Sequence, residues 1–149
     1  MKRFRFALDG VLDYRQQVLE GRQNEYAKAL RQVREQQERV DEAKQRYSQT
    51  NCLFRERAAE GIAIADALGF ENSLRALEQE IAREVKILQE RESQAEKHRA
   101  LVLQAHMDAS ILERLKEKQQ TAYQKEVQKQ DERFIDELIS AERAGRSES

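Results

Sequence analysis

The sequence predicts an all-α protein, a long two-helix antiparallel coiled-coil hairpin, and three observations carry that prediction. Leu12, Leu19, Tyr26, Val33, Val40, Tyr47 and Phe54 recur at seven-residue intervals. Leu74, Ile81, Leu88, Ala95, Val102 and Ala109 form a second ladder at the same interval. Between them, small and apolar residues are bracketed by Gly61 and Gly69. A helix turns once every 3.6 residues, so a strict seven-residue stripe stays aligned only where the helix supercoils around a partner. Two ladders in one chain put that partner inside the chain.

Composition agrees. The 149 residues include no Pro and no Trp, and 37% are charged, a balance that suits long helices rather than a compact α/β domain. Residues 1–60 carry 13 Lys and Arg against 10 Asp and Glu, and residues 61–149 carry 14 against 18. The two halves are thus mildly complementary, although exposed ion pairs contribute only about 0.2–1 kcal/mol each.

The first helix is expected from about residue 5 to 60. Asp9 is an acceptable N-cap, and Val11, Leu12, Val18 and Leu19 open the apolar stripe. Four residues beyond each ladder position come Gln16, Gln23, Leu30, Gln37, Lys44, Asn51 and Ala58, which makes a narrow seam that needs a partner to stay helical. The bend is expected over 61–70, with Gly61 ending the helix and Asn72 or Ser73 capping the next. The second helix is expected over about 71–144, with Leu77, Val85, Ala105 and Leu112 beside its ladder, followed by a frayed tail at 145–149. The whole, 1–149, reads as a single coiled-coil domain.

A bend centred near residue 65 pairs Phe54 with Leu77 and Val40 with Leu88. The first helix then runs out before the second, leaving Phe134, Ile135, Leu138 and Ile139 on an overhang. Exposing such side chains forgoes about 1.5–3 kcal/mol each. Two outcomes are open: Phe4, Phe6 and Leu8 fold back over them, or another protein docks there.

Several chemistries lack their residues. No Gly is followed by Lys, so there is no phosphate-binding loop, and neither His98 nor His106 belongs to a metal motif. The lone Cys52 forms no intramolecular disulfide and sits beside Leu53 and Phe54 as a packing residue. No enzyme, no cofactor and no metal is expected. Lys2, Arg3 and Arg5 interleaved with Phe4 and Phe6 form a short basic-aromatic run, but the near-neutral chain has no long basic face, and no nucleic acid is expected as a partner. No run approaches the roughly 18 apolar residues of a membrane span, and the N-terminus lacks a signal-peptide pattern, so the expected place is the cytoplasm.

Three stretches resemble the FliJ family of the bacterial flagellar type III export apparatus. Phe4-Arg5-Phe6-Ala7-Leu8 with Val11-Leu12 and Arg15 is similar to the family's FxFxL opening; Gly61-Ile62, then Phe70, Leu74, Leu77-Glu78 and Ile81, to its connector and following helix; and Leu112-Glu113-Arg114-Leu115-Lys116-Glu117-Lys118, Tyr123 and Asp136-Glu137 to its C-terminal pattern. The resemblance implies a coiled coil like the central stalk subunit of rotary ATPases, non-enzymatic and monomeric when free. The partners it implies are the hexameric flagellar export ATPase, the cytoplasmic domain of the export gate protein, and export chaperones, with peripheral association at the inner face of the cell membrane. Carried onto this sequence, the ATPase-binding end comprises Phe4, Phe6, Leu8, Phe134 and Leu138, and the gate-binding surface Tyr47, Phe54, Phe70, Leu74, Leu77 and Ile81. An equivalent stalk of a virulence secretion system, or a generic coiled-coil scaffold, is the alternative.

Overall fold

A computed structural model describes residues 3–147. Two helices make up almost all of it, α1 over Asp9–Glu60 and α2 over Ile64–Ser147, packed against each other as an all-α helical hairpin. The chain divides into two compact units, one formed by Met1–Leu19 with Gln104–Ser149 and the other by Glu20–Leu103.

In the Glu20–Leu103 unit, the helix reversal takes three residues. Gly61 has φ of 95°, the left-handed conformation that a side chain disfavours, and its N–H donates to the carbonyl of Ala58 at 3.3 Å. Ala67 N–H then donates to Ala63 O at 3.0 Å, so α2 is under way by Ile64. This corrects the bend expected over 61–70. A single Gly in a helix interior costs about 1 kcal/mol relative to Ala, and the run of Ala and Leu around Gly69 absorbs it. Asp66 in the first turn adds a favourable charge at the helix N-terminus.

The seam differs in phase from the one expected. On α1 the ladder residues do turn inward, with Leu12 and Val40 buried, but their companions lie three residues on, at Ala29, Gln36 and Ala43, rather than four. Leu30 and Ala58, the apolar residues of the expected set, are both exposed. On α2, Leu88, Ala95, Ala105 and Ala109 are buried. Alanines dominate this core, so the helices approach closely and gain modestly per residue; Ala43 is 0% exposed and Val40 1%.

Cross-helix pairs define the register. Phe54 meets Phe70, Arg46 meets Glu80, and Gln36 donates through Nε2 to the Glu84 carbonyl at 2.9 Å and to the Glu84 carboxylate. These place the point of reversal near residue 62, not 65. Val40 therefore lies nearer Glu84 than Leu88.

In the unit that holds both ends of the described chain, α1 begins differently from expectation. Leu12 N–H donates to Leu8 O at 2.9 Å, which makes Leu8 the half-helical flanking residue. Asp9 is not the N-cap; its carboxylate pairs instead with Lys116 at 3.0 Å. Arg15 pairs with Asp108 at 3.5 Å and Gln16 donates to Glu113 at 3.2 Å. At the other end, α2 runs on through Gly145 to Ser147, where a tail was expected from 145, and Ser147 Oγ donates to the Ala144 carbonyl. Residues 148–149 and Lys2 lie outside the described residues.

Candidate protein-docking surfaces

Near the reversal, the six residues expected to form a gate-binding surface fall on one neighbourhood of the Glu20–Leu103 unit. Tyr47, Phe54, Phe70, Leu74, Leu77 and Ile81 are all half-buried. The Phe54 and Phe70 rings tilt at 60° with centroids 5.2 Å apart, and the Arg57 guanidinium lies 5.8 Å from the Phe70 ring centroid. Tyr47 OH donates to a Glu78 carboxylate oxygen at 3.3 Å, which satisfies the hydroxyl at the seam edge. Three apolar side chains that the ladders did not mark stand further out, Leu53, Ile64 and Leu68. Their signal was an off-phase position. An apolar residue outside the stripe of a coiled coil has no partner in the hairpin.

Elsewhere in that unit the candidate ligands are dispersed. Cys52 is free and exposed, and among the described residues no group of three or more His, Cys, Asp or Glu could hold a metal ion. His98 Nδ1 lies 3.8 Å from a Glu25 carboxylate oxygen and accepts or donates no hydrogen bond.

The five residues expected at an ATPase-binding end are divided by the fold. Phe6 is buried, and Phe4 packs on Tyr123 with ring centroids 5.6 Å apart. Phe4 thus sits beside Tyr123, short of the overhang. Leu8 is part-exposed, while Phe134 and Leu138 are exposed together with Ile135 and Ile139; among the described residues nothing covers them, and all of 128–147 is open to solvent. Four apolar side chains at this spacing occupy one arc of the helix. Asp131 precedes the arc, Glu132 and Asp136 lie along one flank together with Arg143, Glu137 lies along the other, and Glu142 beyond it pairs with Arg146 at 2.9 Å. Arg3 and Arg5 line an open recess with Phe4 and Tyr123, away from this stripe.

The two long paired helices match the coiled-coil hairpin that the resemblance implies, and comparison with known families decides the matter. The model of the family described as Flagellar FliJ protein matches residues 4–149. The chain belongs to the FliJ family. FliJ membership makes it a component of the flagellar export apparatus. No curated protein and no solved structure matches it. Among the described residues, no helix of this FliJ-family chain is long and apolar enough to cross a membrane.

Proposed function

We propose that this FliJ-family chain is a non-enzymatic coupling factor of flagellar export, which binds the export ATPase hexamer, promotes its ring assembly, and links it to the export gate and to export chaperones. It acts at the inner face of the cell membrane at the flagellar base. The observation that carries the reading is the uncovered stripe of Phe134, Ile135, Leu138 and Ile139 on a helix that continues well beyond the segment packed against it. Apolar side chains held in water by a rigid helix favour a protein partner, and a helix laid into a groove is read through such i, i+4 anchors. Phe4, Phe6 and Leu8 support this end from the seam rather than contacting the ATPase through Phe6, which is buried. Tyr47, Phe54, Phe70, Leu74, Leu77 and Ile81 form the gate contact; being half-buried, they offer edges rather than whole side chains.

The test is to mix the purified protein with the export ATPase of the same organism and follow ATP turnover and ring formation by negative-stain imaging. Wild type is expected to raise turnover and the number of hexamers. Phe134→Asp with Leu138→Asp is expected to abolish both while helicity by circular dichroism is kept, since both positions are exposed. A folded wild-type chain that neither binds nor stimulates the ATPase would refute the proposal.

A further inference from the structure

The unit formed by Met1–Leu19 with Gln104–Ser149 carries a second uncovered apolar surface, on one edge of the seam. Val11 directly precedes Leu12 of α1, and Leu115 directly precedes Lys116 of α2, positions that share an edge in an antiparallel pair. Tyr14 and Ile111, one turn along on the same side, are 60% and 64% exposed, and Val11 is exposed as well. The carboxylate on this edge, Asp108, is occupied by Arg15 at 3.5 Å, and the Arg15 guanidinium also lies 5.9 Å from the Tyr14 ring centroid. The opposite edge holds Asp9, paired with Lys116, and Glu113, which accepts from Gln16. The two edges therefore differ in charge.

Along α2 the apolar edge runs on into a cationic groove. Arg114, Lys118 and Lys125 line it with Glu117, Thr121 and Ala122. None of the three cations has an ion-pair or hydrogen-bond partner among the described residues. Against the single carboxylate of Glu117 they leave the groove positive, and the small side chains of Thr121 and Ala122 let another backbone approach. From Ile111 to Lys125 the surface covers about 21 Å at 1.5 Å per residue, close to four helical turns. That span and pattern suit an amphipathic helix laid in a groove. A flat anionic bilayer fits worse. Glu132, seven residues after Lys125, and Asp136, four further on, continue the same face of α2 and would be pressed against the headgroups, whereas a helix can end short of them. We infer that this edge receives an acidic amphipathic helix of another protein, its apolar side chains on Val11, Tyr14, Ile111 and Leu115 and its carboxylates on Arg114, Lys118 and Lys125. The hairpin stays a single chain in this contact, and the stripe at 134–139 stays free while the helix is bound.

The test is fluorescence anisotropy of labelled synthetic helices titrated with the purified full-length chain. The probe is an alanine-based helix of about four turns, with two Leu one turn apart near one end and three Glu along the same face. One control carries Lys for each Glu, and another has the probe's composition in scrambled order. The Glu helix is expected to bind, more weakly as salt is raised, and at least about tenfold more tightly than either control. Arg114→Glu with Lys118→Glu is expected to exchange the preference, so that the Lys helix binds and the Glu helix does not. Tyr14→Ser with Ile111→Ser is expected to weaken the Glu helix by about tenfold or more without changing the sign of that preference. Phe134→Asp with Leu138→Asp is expected to leave binding intact, which keeps this result separate from that of the ATPase experiment. Circular dichroism verifies that each variant is folded. No binding of the Glu helix, equal binding of the three helices, or binding unmoved by the charge reversal would each overturn the inference. Binding to phosphatidylglycerol vesicles in place of the Glu helix, lost on the same charge reversal, would assign the edge to a membrane and overturn it too.

Discussion

At the scale of single residues, the seam is set by smallness more than by bulk. Ala43 has no exposed surface and faces the partner helix where the backbones lie close, so a longer side chain has no space to enter. Ala43→Leu is expected to destabilise the protein by about 1–3 kcal/mol, read as a lower urea midpoint, because overpacking forces the helices apart. An unchanged midpoint would mean that the seam is loose there. The same residue explains what sequence reading missed. A seven-residue ladder is equally satisfied by companions three or four positions on, and the sequence decides between them only through residue type. The four-residue choice contains Leu30 and so looks more apolar; the three-residue choice contains Ala29 and Ala43, whose value is the close approach they permit, which composition does not announce. Gln36, also in the adopted set, is buried without loss because Glu84 accepts from its amide. Nothing in one helix alone reveals that acceptor.

At the scale of elements, the two glycines that bracket the bend have opposite roles. Gly61 holds the left-handed conformation that ends α1, whereas Gly69 lies inside α2 with nothing within 4 Å of the place a methyl group would occupy. Gly61→Ala is therefore expected to lower stability by about 1 kcal/mol and Gly69→Ala to raise it by about 0.5–1 kcal/mol, both measured by thermal or urea unfolding. A loss at Gly69 would show a break in α2 that the hydrogen-bonded helix does not have. Gly61 was legible because a glycine after a long polar helix has one common use. Gly69 was over-read, since a helix as long as α2 outweighs the local cost of one flexible residue, and that length is a property of the whole element. The apolar stripe at 134–139 was legible for a different reason: its i, i+4 spacing stands outside the ladder phase. Where Phe4 would settle was not, because its contact with Tyr123 depends on a register only a few residues different from the expected one.

At the scale of the whole molecule, charge and apolar surface are arranged so that neither half is self-sufficient. The excess of Lys and Arg in residues 1–60 and of Asp and Glu in 61–149 appears as cross-helix pairs such as Arg15 with Asp108 and Arg46 with Glu80. Each lies at the surface with its carboxylate part-exposed, and contributes little by itself. The pairing of α1 with α2 relies on their being one chain, joined through Gly61, Ile62 and Ala63 alone. A connection that short gives each helix an effective concentration of its partner in the millimolar range or above, so zippering is unimolecular and indifferent to dilution. Cutting it would convert the hairpin into a bimolecular complex held by a thin alanine seam. With a protease site substituted at 61–63, the intact chain should keep its circular dichroism at any dilution, whereas the nicked chain should lose helix progressively as it is diluted. Helicity of the nicked form that persists unchanged on dilution would mean that the seam holds without the tether. In a cell, a single cleavage at the reversal would then act as an irreversible off-switch, leaving every other peptide bond intact and yet no hairpin.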